Sequence, residues 1–126
     1  MRIERTPIPP IEREMYAPVE IVERWSALDG GAEAAVVHVS DWAERRWVWF
    51  TVHTLSPAKA VRVLLAMRAY LTRQPGPIYT ALDLQKFPDA ERLDTVLGFA
   101  PTDYYVRKPD DSGDSMRVWV WQKLQR

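Results

Sequence analysis

Arg46-Trp47-Val48-Trp49-Phe50-Thr51-Val52-His53, then Ser56-Pro57 and an apolar-periodic run to Leu71, then Ile78-Tyr79-Thr80-Ala81-Leu82, is the stretch that decides the fold. The first segment is aromatic and β-branched, the composition of a strand. Ser56 suits a helix N-cap, and Pro57 falls at the first helical position, where its missing N–H costs nothing. Val61, Leu64, Leu65 and Met67 are expected as the apolar side of this helix, with Lys59, Arg62, Arg68 and Arg73 as polar positions. Gln74-Pro75-Gly76-Pro77 ends it. Strand, helix and strand in this order over residues 46–82 make a β–α–β unit, whose two strands run parallel through a right-handed crossover.

Upstream, Val19, Ile21 and Trp25 share one parity and Glu20, Arg24 and Ser26 the other, which predicts a strand from Val19 onward. Asp29-Gly30-Gly31 supplies a hairpin turn. Ala34–Val39 reads as a more buried second strand, joined by a polar connection, Asp41–Arg45, to the strand at 46–53. Residues 1–18 hold Pro7, Pro9, Pro10 and Pro18, which exclude a helix or a central strand. They are expected to form an extended Pro-rich arm, followed by a single domain over 19–126.

Downstream, Ala90, Leu93, Val96 and Leu97 lie at helical spacing in a second helix over about Pro88 to Leu97. Gly98 is placed as its left-handed C′ residue, with Phe99 folding back. Tyr104–Arg107 and Met116–Gln122 are two last strands joined by the turn-forming segment Pro109-Asp110-Asp111-Ser112-Gly113-Asp114. The order β-β-β-α-β-α-β-β makes an α+β protein with a mixed sheet.

The bulk numbers exclude several function classes. The chain has 126 residues, enough to bury a core without staples. Lys plus Arg and Asp plus Glu are both 17, so the net charge is zero, and no general nucleic-acid or anionic-membrane binder is expected. There is no cysteine, which removes disulfides and thiolate metal sites. Apolar runs are short and Met1-Arg2-Ile3-Glu4-Arg5 is no signal-peptide core, so the protein is expected inside a cell or in a particle made there.

The element order resembles the second through last elements of the GNAT N-acyltransferase fold, without that family's N-terminal helices. The local likeness is Ala90-Glu91-Arg92-Leu93-Asp94-Thr95-Val96-Leu97-Gly98-Phe99, followed by Arg117-Val118-Trp119-Val120-Trp121. It covers residues 34–122. The Trp-rich strand running into Thr51, with Ile78-Tyr79-Thr80-Ala81-Leu82-Asp83 and the closing Leu-Gly-Phe, is also similar to short GNAT-like proteins of tailed bacteriophages. That likeness implies a virion component, or else a cytoplasmic protein.

The family holds the pyrophosphate of acyl-CoA on a glycine-rich segment at the start of its first long helix. Here that segment is Leu55-Ser56-Pro57-Ala58-Lys59-Ala60, without a glycine. Ser56, Ala58, Lys59 and Ala60 are the candidate cofactor-binding residues, with Lys59 and Arg62 able to attract anions. The tyrosine that many members use to protonate the leaving thiolate corresponds to Asp94, which at neutral pH donates no proton unless strongly desolvated. The asparagine often found before that helix corresponds to Phe87. His53, at the end of the third strand, is a second candidate for moving protons. These departures imply a non-catalytic structural or interaction protein of a phage particle, oligomeric or bound to other proteins, with no cofactor. Pro9, Pro10, Trp47, Trp49, Trp119 and Trp121 would be its contact residues, because buried interface patches favour tryptophan. The alternative is an acyl-CoA-dependent N-acetyltransferase with a divergent phosphate loop, for which acetyl-CoA is the cofactor. His38 and His53 with Glu33 or Asp83 fit a metal site less well than they fit ordinary satisfied histidines, and no metal is expected. Asp110, Asp111 and Asp114 read as a solvated turn.

Overall fold

The computed structural model describes residues 1–15, 19–53, 56–84, 87–108 and 112–123. Pro18, Leu55 and the Pro109–Asp111 part of the last turn lie outside these. Seven strands, β1 (Arg2–Arg5), β2 (Glu23–Asp29), β3 (Ala32–Trp42), β4 (Arg45–Val52), β5 (Ile78–Leu82), β6 (Ala100–Arg107) and β7 (Ser115–Trp121), form one sheet in the order β1-β2-β3-β4-β5-β7-β6. Every neighbouring pair is antiparallel except β4–β5, the parallel pair of the β–α–β unit. Among the described residues two α-helices, α1 (Pro57–Thr72) and α2 (Ala90–Leu97), complete an α+β fold of the expected kind.

The N-terminal segment adds an element. Arg2–Arg5 pairs antiparallel with β2, with Ile3 opposite Ala27, and Pro10–Glu12 forms a short 3-10 turn. Prolines here permit this outcome because β1 is an edge strand and Pro10 begins the turn. β2 starts at Glu23 rather than Val19, although Ile21 is buried.

Alternation along the strands separates two cores. Val37, Val39, Val48, Ile78, Leu82, Trp119 and Trp121 pack with Val63, Met67 and Leu71 of α1 and Leu97 of α2. Their sequence neighbours Trp47, Ala81 and Val118 form a smaller cluster on the opposite face. Both helices therefore cover one face.

The face of α1 differs from expectation. Val63, Met67, Tyr70 and Leu71 are buried, whereas Val61 and Leu65 are 58% and 60% exposed. Both sets of four obey helical spacing and share Met67, and the buried row 63-67-70-71 places Tyr70 against Trp25, with ring centroids 5.6 Å apart. Gly98 takes the left-handed C-cap with φ 102°, and the amides of Gly98 and Phe99 donate to Thr95 and Asp94 carbonyls.

The expected Asp41–Arg45 connection is a two-residue turn, because β3 and β4 extend to Trp42 and Arg45. Ala43 and Glu44 carry it with φ of 52° and 61°. That is the turn chemistry of Asn-Gly, met here by two residues that tolerate left-handed backbone poorly. Replacing Ala43→Asn together with Glu44→Gly is expected to stabilise the protein by about 1–2 kcal/mol, read as a higher urea midpoint at unchanged slope. An unchanged or lower midpoint contradicts the strain.

Candidate functional site

β4 and β5 pair only at Arg46–Ile78 and Trp47–Tyr79. β4 then stays with β3 as far as Val52, and β5 stays with β7 as far as Leu82. The two central strands therefore part, leaving facing edges from Val48 and from Thr80 onward. Backbone groups on such an edge need a hydrogen-bonding occupant, which water or an extended ligand can supply. α1 begins just past the end of β4, on the helix-covered face.

At the start of α1, Ser56 is extended (φ −76°, ψ 126°), Pro57 opens the helix, and the Ala60 amide donates to the Ser56 carbonyl at 2.9 Å. The amides of Ala58 and Lys59 thus belong to the first turn, where no intrahelical acceptor exists. Lys59 Nζ and Arg62 Nη2 reach Asp29 of the β2–β3 turn at 3.7 and 3.0 Å. Both side chains are about half exposed, so the pair leaves the positive charge accessible to an anion.

Asp94 sits on α2 beside Leu93 and only 4% exposed. Its Oδ2 is buried with no hydrogen-bond partner. Burial alone pushes its carboxyl up to about 7. An aspartate so placed is substantially protonated at neutral pH and can donate, which the sequence reading allowed only under strong desolvation.

The opposite face carries a polar network centred on Arg24, which is 9% exposed. Arg24 Nη1 and Nη2 donate to Glu33 Oε2 and Oε1 at 2.8 and 2.9 Å, a bidentate pair. Nε donates to Glu12 Oε1 at 2.9 Å, and Nη1 also reaches Thr6 and Ser26. Burial acts to raise the Glu12 and Glu33 carboxyls, but the hydrogen bonds from Arg24, with His38 and Ser26 adding theirs, hold both below the usual range. His38 Nε2 lies 2.6 Å from Glu12 Oε1, and His53 Nε2 lies 3.5 Å from Glu33 Oε1. The two histidines therefore meet different carboxylates and do not converge. Among the described residues no group of three or more His, Asp or Glu side chains could hold a metal ion. Just past β5, Asp83 pairs at 3.0 Å with the buried Lys108.

The proposed contact residues fare differently. Trp47, Trp119 and Trp121 are 2%, 5% and 8% exposed, so they fill the cores and offer no docking surface. Trp49 is half-buried against the smaller core, Pro9 is half-buried, and Pro10 is exposed. Two shallow clefts among the described residues lie elsewhere, one between Asp29, Gly30, Gly31 and Arg62, the other between β1 and the Ala66–Arg73 side of α1. Neither is at the parting of β4 and β5. Arg24, Glu12 and Lys108 were not singled out by sequence. Their partners lie far away along the chain, and no local pattern marks them.

No protein-family model and no curated protein matches the sequence. Solved structures do match. A Bacillus subtilis acetyltransferase in complex with CoA has TM-score 0.59 at 14% identity, covering 98% of this chain and 99% of its own. An N-acetyltransferase from Staphylococcus aureus has TM-score 0.59 at 8% identity, with 97% and 98% covered. A Bacteroides thetaiotaomicron protein assigned to the GNAT acetyltransferase family has TM-score 0.52 at 16% identity over 82% of this chain. The chain spans 62% of that protein and 64% of a chimeric spermidine N-acetyltransferase from Vibrio cholerae, which it matches with TM-score 0.56. These matches, all acetyltransferases and one with CoA in place, overturn the expectation of a non-catalytic particle component and remove the ground for expecting no cofactor. No helix among the described residues is long and apolar enough to cross a membrane. The seven-stranded mixed sheet with two helices on one face is the GNAT acetyltransferase fold.

Proposed function

We propose that the chain is an acyl-CoA-dependent N-acyltransferase in which Asp94 protonates the leaving thiolate. The observation that carries this reading is Asp94 itself. A carboxyl buried without a partner is costly to keep, and its raised affinity for a proton is what a general acid at neutral pH needs. The residue occupies the position that the GNAT resemblance gives to the proton donor.

The parted strands fit the other half of the task. An acyl-CoA arm carries amides in an extended chain, and the open edge of β4 offers backbone partners for them. Its phosphates would lie against the Ala58 and Lys59 amides, with Ser56, Ala60 and the Lys59 and Arg62 cations around them. The absent glycines cost less than they would with bulky residues, because Ala58 and Ala60 project only a methyl group. In the transfer, the acceptor nitrogen bonds to the acyl carbon as the C–S bond breaks. Asp94 gives its proton to the sulfur, and the nitrogen loses one to a base on the opposite side of the sheet. Placing the acid beneath the helices and the base on the other face separates the two charges that develop.

Calorimetric titration with acetyl-CoA tests the site. The expected result is micromolar binding that weakens at least about tenfold in Ala58→Trp, a substitution at an exposed position that leaves the fold intact. Binding unaffected by Ala58→Trp would place the cofactor elsewhere, and absence of binding to the folded protein would remove the reading.

A further inference from the structure

We propose that Glu33, clamped by Arg24, is the positioning residue that orients His53 as the proton acceptor on the acceptor side of the sheet; this rests on the acyltransferase reading. His53 directly follows β4 at the end where β4 has left β5, and its amide donates to the Ala34 carbonyl at 2.8 Å. It continues the parity of Trp47, Trp49 and Thr51, which faces away from the helices. The ring is 46% exposed, so an incoming amine can reach it.

The carboxylate beside it has only one direction left to serve. Glu33 Oε2 accepts from Arg24 Nη1 and from Ser26 Oγ, both at 2.8 Å. Oε1 accepts from Arg24 Nη2 alone, and its remaining lone pair is the one near His53 Nε2. Arg24 is itself fixed from behind by Glu12 and Thr6, so the carboxylate cannot swing to follow a mobile ring. A fixed acceptor selects the tautomer with hydrogen on Nε2 and leaves Nδ1 free to take the acceptor's proton. Among the described residues, the charged groups linked to the ring are Glu33 of β3 directly, Arg24 of β2 through Glu33, and Glu12 of the 3-10 turn with His38 through Arg24, while Arg45 lies further along the same face over Tyr79 and Tyr104. Glu33 is the one in contact with the ring, and it stabilises the imidazolium that forms as the proton arrives. Residues before β2 thus support the base through Thr6 and Glu12.

Two measurements decide it. Nitrogen-15 NMR reads the ring tautomers of the two histidines. Wild-type His53 is expected to carry its hydrogen on Nε2, and Glu33→Gln is expected to weaken that preference. In acyl transfer the same variant is expected to lose about tenfold in kcat, keep its KM for acetyl-CoA, and move the acidic limb of its pH profile to lower pH, with Glu33→Asp recovering part of the loss. A His53 tautomer that Glu33→Gln leaves unchanged overturns the proposal, as does an unmoved pH profile in an active enzyme. Wild-type protein that transfers no acyl group to any amine overturns the parent reading instead, and the NMR arm still decides whether Glu33 and His53 are coupled.

Discussion

Asp94→Asn is expected to lower kcat for the proposed acyl transfer by about 100-fold and at the same time to stabilise the protein above neutral pH. The loss follows because an amide of the same shape has no proton of suitable acidity to give to sulfur. The gain follows from linkage. The Asp94 carboxyl is raised from 3.8 to about 7 in the folded state by burial. The folded protein therefore holds a proton that the unfolded chain releases, and stability is lost as pH rises from about 4 to about 7. Over that interval the difference amounts to roughly 4 kcal/mol. Urea unfolding of wild type and variant across this range is expected to show equal stability near pH 4 and a growing advantage for Asp94→Asn up to pH 7. On the acyltransferase reading the same carboxyl is expected to set the alkaline limb of the wild-type pH–rate profile near 7, since only its protonated form donates. A variant that loses activity without gaining stability at pH 8 would mean that Asp94 is a hydrogen-bonded structural residue.

Arg24→Ala carries the second large effect. It removes the cation from between Glu12 and Glu33 and leaves two partly buried carboxylates with unmatched charge. Breaking a buried pair from one side costs about 3–5 kcal/mol, and here one side serves two partners. The Glu12 and Glu33 carboxyls are held low in the folded protein. Their contribution is therefore present above about pH 4.5 and lost as pH falls through their lowered values. Arg24→Ala is expected to lower stability most at pH 7 and to flatten the acid side of the stability curve, with Glu12→Gln and Glu33→Gln restoring part of the loss. Equal destabilisation at pH 3 and pH 7 would show that packing, not charge, is what Arg24 supplies.

The two predictions mark where sequence and structure part company. The β–α–β unit was legible because Ser56-Pro57 and Gln74-Pro75-Gly76-Pro77 punctuate it locally. The left-handed cap at Gly98 was legible because glycine advertises positive φ. β1 was not, since four residues of mixed charge become a strand only through the edge that β2 offers. The turn at Ala43-Glu44 was not, because neither residue is a usual turn former and the pull of β3 on β4 imposes the conformation. On α1 two rows of apolar residues satisfied the same period, and the row that packs on the main core of the sheet, with Tyr70 against Trp25, is the buried one.

The candidate site divides in the same way. The missing glycines in Ser56–Ala60 and the aspartate at position 94 could be read directly. What Asp94 does depends on how dry its surroundings are, and that is a property of packing. His53 was singled out by its place at the end of a strand. Glu33 and Arg24 gained meaning only from hydrogen bonds linking β2, β3 and the segment before them.

Release of free thiol from acetyl-CoA in the presence of primary amines reads acyl transfer by this protein itself, and the absence of cysteine in the chain leaves no protein thiol to obscure it. Alkyl, aromatic and polyamine acceptors and a peptide N-terminus are each compared with an amine-free control. Thiol release is expected to require an amine, to rise above the control for at least one acceptor, and to drop about 100-fold in Asp94→Asn. Folded protein that releases no thiol with any of these acceptors, or equal release from wild type and Asp94→Asn, would contradict it.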